Sequence, residues 1–204
     1  MKKILLTALV AVAALTANAQ GYIGGTLGFN SSKTPGATEV TTNRFTIAPE
    51  VGYSLDEKWG LGLRLGYTYN KRKSTTAGVS TEGNSSTFNV EPYARYQALT
   101  WGKANIFVDG GVNLGVSSAK NMKSGLELGV FITPGIAFNL NEKFSLVARV
   151  NRLFGFGYAK QQVPDVAGAP DAPTSFGFGV NDELNERSGI LNVGSLTFGV
   201  YYNF

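Results

Sequence analysis

Seven ionisable side chains fall on one parity of a long alternating pattern: Glu50, Arg64, Glu91, Arg95, Asp109, Glu127 and Arg149. Small and polar residues (Gly, Ala, Thr, Asn) share that parity, and bulky Leu, Ile, Val, Phe and Tyr take the other. Four acids against three bases nearly cancel. On an enclosed face they must pair, because an isolated buried ion costs several kcal/mol. Two kinds of chemistry use such a set: a lattice of internal salt bridges that replaces an apolar core, or a charged constriction in a conducting pore. On a soluble barrel the same residues would be solvated.

Catalysis has little to work with. Histidine is absent from the chain, and with it the side chain that titrates nearest neutral pH and serves as base or relay in most hydrolytic sites. Cysteine is absent too, so a zinc site of the usual ligand types is excluded. A Ser–Lys dyad is arithmetically available, but no motif selects one. Gly60-x-Gly62 and Gly155-x-Gly157 lack the third glycine and the helix of a phosphate-binding loop and read as strand glycines. Asn30-Ser31-Ser32 and Asn84-Ser85-Ser86 match a glycosylation triplet and read as loop composition. The sequence therefore predicts no enzyme, no cofactor and no metal.

Interaction sites are sought in the polar stretches. The segment 157–189 carries Asp165, Asp171, Asp182, Glu183 and Glu186 against Lys160 and Arg187, stiffened by Pro164, Pro170 and Pro173, whereas 71–85 opens with Lys71, Arg72 and Lys73. Loops this long are either functional or disordered. The charge pattern suggests that the acidic loop folds over and pairs with the basic one; a solvated loop is the plain alternative. No Asp-x-Asp spacing supports a defined cation site. Arg152 breaks the alternation. Parity from Val150 points it outward, where it would meet lipopolysaccharide phosphates, unless a bulge turns it inward.

These residues are held by strands. Phe45, Ile47, Pro49, Val51, Tyr53 and Leu55 share one face and Thr46, Ala48, Glu50, Gly52 and Ser54 the other; Trp59 to Tyr69 continues in the same way. Eight strands result, near 20–30, 43–55, 58–70, 86–99, 103–117, 125–140, 143–156 and 190–204. They exceed the ~5 or 6 residues of soluble strands and suffice to cross a bilayer at a tilt. Short turns (Asp56-Glu57-Lys58, Thr100-Trp101-Gly102, Asn141-Glu142) alternate with long polar connections at 31–42, 71–85 and 157–189. Prolines 49, 92 and 134 recur in a repeated pattern at spacings of 43 and 42, too long per strand for propeller blades. Each removes a ladder bond, which predicts a bulge at each.

Composition agrees, with 26 glycines, 12% aromatic and 16% charged residues. Residues 1–19 read as a cleaved secretory signal: Lys2-Lys3, an apolar run from Ile4 to Leu15, then Ala17-Asn18-Ala19. The run is too short to span a bilayer as a helix, so residues 20–204 form one domain that enters a membrane as a barrel. Lys2 and Lys3 contribute two units of the +4 net charge, and the remaining Lys and Arg are dispersed, which argues against nucleic acid.

Eight strands enclose room only for side chains. The bulky face would crowd that space, whereas Gly60, Gly62, Gly66, Gly111, Gly115, Gly129 and Gly135 fit it. The apolar face therefore looks outward, the ions inward, and the pairing lattice is the reading favoured over a pore. Aromatics form two girdles, with Tyr53, Trp59, Trp101, Phe138, Phe144, Tyr202 and Phe204 near the short turns and Phe45, Tyr67, Tyr69, Phe88 and Phe156 near the long connections.

The stretches Phe45 to Leu55 and Trp59 to Tyr67 resemble the outer-membrane β-barrel domain family related to the OmpA and OmpX barrels, over all of 20–204. The final stretch, Leu196 to Phe204, with Phe198, Tyr202 and Phe204 alternating, looks like the terminal signal read by the barrel-assembly machinery. The resemblance implies an eight-stranded antiparallel up-and-down transmembrane barrel in the outer membrane. It also implies termini in the periplasm, long loops outside, a monomeric state, and lipid and lipopolysaccharide as neighbours. It supplies no activity. A non-enzymatic scaffold with interacting loops is the leading reading, a narrow porin-like channel the second, and a soluble ligand-binding barrel the third. Without a peptidoglycan-binding domain, wall anchoring is not implied.

Overall fold

A computed structural model describes residues 21–150, 153–166, 170–180 and 196–204. Residues 1–20, with the signal segment, lie outside it, as do Arg152, Asp182, Glu183 and Glu186. The described residues form ten strands: β1 (Gly21–Thr34), β2 (Thr38–Ser54), β3 (Trp59–Thr76), β4 (Val79–Trp101), β5 (Ala104–Ala119), β6 (Gly125–Asn139), β7 (Phe144–Val150), β8 (Phe154–Lys160), β9 (Thr174–Val180) and β10 (Leu196–Asn203). All pairings are antiparallel. β1 to β6 pair in sequence order, β6 continues to β7, β7 to β10 and β10 back to β1. β7 and β8 lie along the same neighbour, β6, and β10 and β9 pair with β7 and β8 respectively. Ten segments thus fill eight wall positions of a closed barrel.

Alternation sorts the side chains as the pattern requires. Arg149 is 1% exposed and Asp109 0%, whereas outward Phe198 is 60% exposed and Leu27 62%. Along β3 the outward row from Trp59 to Tyr69 covers ten residue-to-residue steps, roughly 25 Å of height at a strand rise of about 3.3 Å and a tilt near 40°. That matches the apolar band of a membrane barrel. The short turns are tied alike: the Asp56 carboxylate accepts the N–H of Lys58 and Trp59, each at 2.7 Å, and the Asn141 amide oxygen accepts those of Lys143 and Phe144 at 2.9 and 2.8 Å.

Three expectations are corrected. The segments 31–42 and 71–85 are not loops but continuations of the strands. β1 and β2 pair out to Thr34 opposite Val40, and β3 and β4 out to Thr76 opposite Val79, around Ala77 (φ +48°) and Gly78 (φ +82°). Two consecutive positive φ values are what a tight hairpin turn needs to match strand twist. Beyond the apolar band both faces of a strand can meet water, so the hydropathy alternation disappears while the backbone ladder persists. Within 157–189 the hairpin β8–β9 likewise replaces loop.

The prolines differ among themselves. Pro49 and Pro92 cause no register shift. Each stays opposite a partner on one side (Gly25, Leu63) and drops out of the ladder on the other, because proline lacks one donor and faces one neighbour with it. Pro134 coincides with a real irregularity: β6 pairs with β7 up to Gly135 opposite Arg149 and with β8 from Ile132 opposite Phe154, so the facing chain carries two extra residues there. A further shift lies between Gln97 and Leu99, where no proline marks it.

The interior is not glycine alone. Tyr22, Tyr93, Phe107, Phe131 and Tyr201 also point inward, and each stands directly opposite a glycine on an adjacent strand: Gly52, Gly62, Gly135, Gly111 and Gly24 in that order. A Cβ on any of these five would collide with the facing aromatic side chain. Glycine thus makes the room into which a ring folds.

Candidate functional site

Six of the seven charged positions meet at one level of the barrel. Glu50 on β2, Arg64 on β3 and Glu91 on β4 are consecutive cross-strand partners, and Arg95 on β4 stands opposite Asp109 on β5. Arg64 donates from Nε to Glu50 Oε2 (2.9 Å), from Nη1 to Glu91 Oε2 (2.9 Å) and from Nη2 to Asp109 Oδ2 (3.1 Å). Arg95 forks onto Asp109, Nε to Oδ1 at 2.7 Å and Nη2 to Oδ2 at 2.9 Å, and reaches Glu50 Oε1 at 3.2 Å. From the far wall, Arg149 on β7 donates to Glu50 Oε2 at 2.6 Å. Three carboxylates and three guanidiniums make the cluster neutral.

Tyrosines absent from the sequence-derived set complete it. The Tyr201 hydroxyl donates to Glu50 Oε1 at 2.7 Å, the Tyr93 hydroxyl donates to the same oxygen, and Tyr22 joins Tyr93 hydroxyl to hydroxyl. Arg149 and Arg95 both donate to the Tyr201 hydroxyl. The Arg95 guanidinium lies over the Phe107 ring, 3.9 Å from its centroid. Parity gave the signal, since Tyr93 lies between Glu91 and Arg95 on one strand face. A tyrosine, however, suits a membrane girdle equally well, and its hydroxyl carries no charge to betray it. Glu127 lies apart. It sits opposite Gly115, nearer the long-hairpin end, and makes no ion pair with a described residue.

The proposed loop contacts are also placed. Lys71 pairs with Glu82 of its own hairpin at 3.0 Å, and Lys33 with Glu39 at 3.0 Å. The partnership holds the Glu82 carboxyl below its ordinary pKa and raises the Lys71 ammonium. Asp165 and Asp171 are exposed, and among the described residues neither pairs with Lys71, Arg72 or Lys73. Segment 163–165 instead docks on the β5–β6 connection, with Lys123 N–H on Val163 O (2.8 Å) and Asp165 N–H on Asn121 O (3.0 Å). The pairing with Asp182, Glu183 and Glu186, and the placement of Arg152, fall outside the described residues.

At the other end Phe198 faces outward, and Tyr202 meets Phe144 and Phe204 edge to face at 5.3 and 5.2 Å. The Phe204 N–H donates to Gly21 O at 3.0 Å, so the last residue is tied across the closing seam.

Comparison with curated protein sequences finds no match. Among solved structures the chain is similar to Neisserial surface protein A, at 14% identity over 91% of this chain and 95% of that one, with a TM-score of 0.39. It is similar also to the translocator domain of the autotransporter NalP from Neisseria meningitidis, at 13% identity over 100% and 95% respectively, with a TM-score of 0.42. The outer membrane protein β-barrel domain model matches residues 4–204, and the chain belongs to that family.

Proposed function

We propose that this outer-membrane barrel is a non-conducting, non-enzymatic scaffold that carries its strand extensions into the surrounding medium. On this reading the termini and short turns are periplasmic, and Phe198, Tyr202 and Phe204 serve as the assembly signal. One observation carries the proposal. The neutral cluster around Glu50, with its tyrosines, draws on seven of the eight wall positions and is packed with inward aromatic rings, so the lumen holds a cross-braced plug where a pore would need water. Eight strands leave little width beyond such a plug. Planar-bilayer recording of the purified protein tests the reading. No discrete openings are expected under symmetric salt, and reproducible single-channel conductance would replace it with the narrow porin-like channel.

A further inference from the structure

One interior carboxylate stays outside the neutral cluster. Arg64, Arg95 and Arg149 are taken up by Glu50, Glu91 and Asp109, whereas Glu127, half-buried on the inward face of β6, meets no cation among the described residues. Its row runs Gly66–Asn89–Gly115–Glu127–Ala159 across β3, β4, β5, β6 and β8, on the long-hairpin side of the cluster. Gly115 and Ala159 stand beside it in that row and Gly125 and Gly129 before and after it on β6, so none of these neighbours offers a polar side chain. Asn89 brings a second oxygen. Its amide lies across β4, with Nδ2 3.6 Å from where a Cβ of Gly66 would stand and Oδ1 2.5 Å from where a Cβ of Gly115 would stand. That second point is also 3.4 Å from Glu127 Oε2, so both oxygens border one small space over a buried glycine. Asn89 Oδ1 is itself buried and accepts no hydrogen bond. A buried acceptor without a donor is costly, and a positive guest shared with the carboxylate relieves both groups.

We infer that Glu127 and Asn89 form a Ca²⁺ site at the long-hairpin end of the lumen. Carboxylate and amide oxygens are the hard ligands this ion takes, at about 2.3–2.6 Å, in a shell loose enough for water to complete it. Mg²⁺ holds a stricter octahedron, which two side chains from separate strands serve less well. Among the described residues no group of three acidic side chains is placed to hold a metal, so water fills most of the shell and the expected affinity is low, with Kd on the order of 10⁻⁴ to 10⁻³ M. Positions 89, 115 and 127 meet only through strand register, and no spacing within one segment announces them. The cluster below keeps its own charges paired, so the site goes beyond the scaffold reading and does not depend on it.

NMR of the full chain in detergent micelles tests the site, with CaCl₂ as the probe and KCl of equal ionic strength as the reference. Saturable shifts of the Gly115 amide and of the Asn89 side-chain amide are expected with CaCl₂ and not with KCl. Glu127→Gln should abolish them, and Asn89→Ala, read at Gly115, should lose at least about tenfold in affinity. Gly115→Ala, whose methyl group takes the space between the two oxygens, should weaken binding as well. Glu82→Gln, which removes an exposed carboxylate paired with Lys71, should bind as the parent does. Heat-modified gel mobility shows which variants are folded, and Glu127→Gln, nearly isosteric with the parent, decides the matter where the others are not. No saturable shift in the parent, an equal response to KCl, saturation retained in Glu127→Gln, or an equal loss in Glu82→Gln would overturn the assignment.

Discussion

Glu50 accepts hydrogen bonds from Arg64, Arg95, Arg149, Tyr93 and Tyr201 and is 1% exposed. Removing it takes from Arg149 its one carboxylate partner among the described residues and leaves three guanidiniums sharing Glu91 and Asp109, so Glu50→Ala is expected to destabilise the barrel by about 3–5 kcal/mol. Urea unfolding in lipid vesicles measures this, and a loss below ~1 kcal/mol would mean that water already solvates the cluster. At Gly62 the argument is steric. A Cβ there runs into the Tyr93 ring, so Gly62→Ala should cost about 1–3 kcal/mol, and most of that should vanish when Tyr93 is also cut to Ala, a non-additivity that a double-mutant cycle reads directly. The charged half of the interior was legible from parity, because a charge on an otherwise small-residue face has only one sensible partner set. The ring half was not. Tyr22, Tyr201 and Phe107 become inward residues only once register sets each against a glycine, and register is a property of two strands, invisible in one.

At the level of elements, period-2 hydropathy located strands where bilayer lay on one side and lumen on the other, and failed where water lay on both. The hairpin β3–β4 shows this. Its membrane half was evident from Trp59 to Tyr69, whereas Lys71 to Ser85 carried the same ladder with no alternation to announce it. Ala77 holds φ +48° in its turn, a region that costs a residue with a Cβ roughly 1 kcal/mol. Ala77→Gly should therefore slow amide exchange in the hairpin tip, and faster exchange would show that the tip is set by something other than this turn. The paired short turns give a second test. Asp56 and Asn141 do the same work, and backbone N–H donors hold the Asp56 carboxyl below its ordinary pKa. A lowered pKa means support that is present at neutral pH and lost as pH falls through the lowered value. Asp56→Asn should unfold at the parent's midpoint at neutral pH and lack its acid sensitivity in this turn, while Asp56→Ala should be weaker at both.

The whole molecule closes along β1 and β10, where, among the described residues, Tyr22 to Leu27 pair with Phe198 to Asn203. Cysteines at Ile23 and Tyr202, directly opposed across this seam, should cross-link under mild oxidation in the folded protein and shift its mobility on a gel. Failure to cross-link while heat-modified mobility is retained would place the seam in another register. The seam also bears on biogenesis. Glu50 meets Arg149 across 99 positions of sequence and Tyr201 across 151, so the central carboxylate gains its last partners only when the final strand arrives. A nascent sheet lacking β7 and β10 would hold Glu50, Glu91 and Asp109 against only two arginines, an open and unbalanced intermediate that lipid should reject. Contacts of such long range should make the last step the slow one, and a barrel stopped short of it would still expose charge to the bilayer.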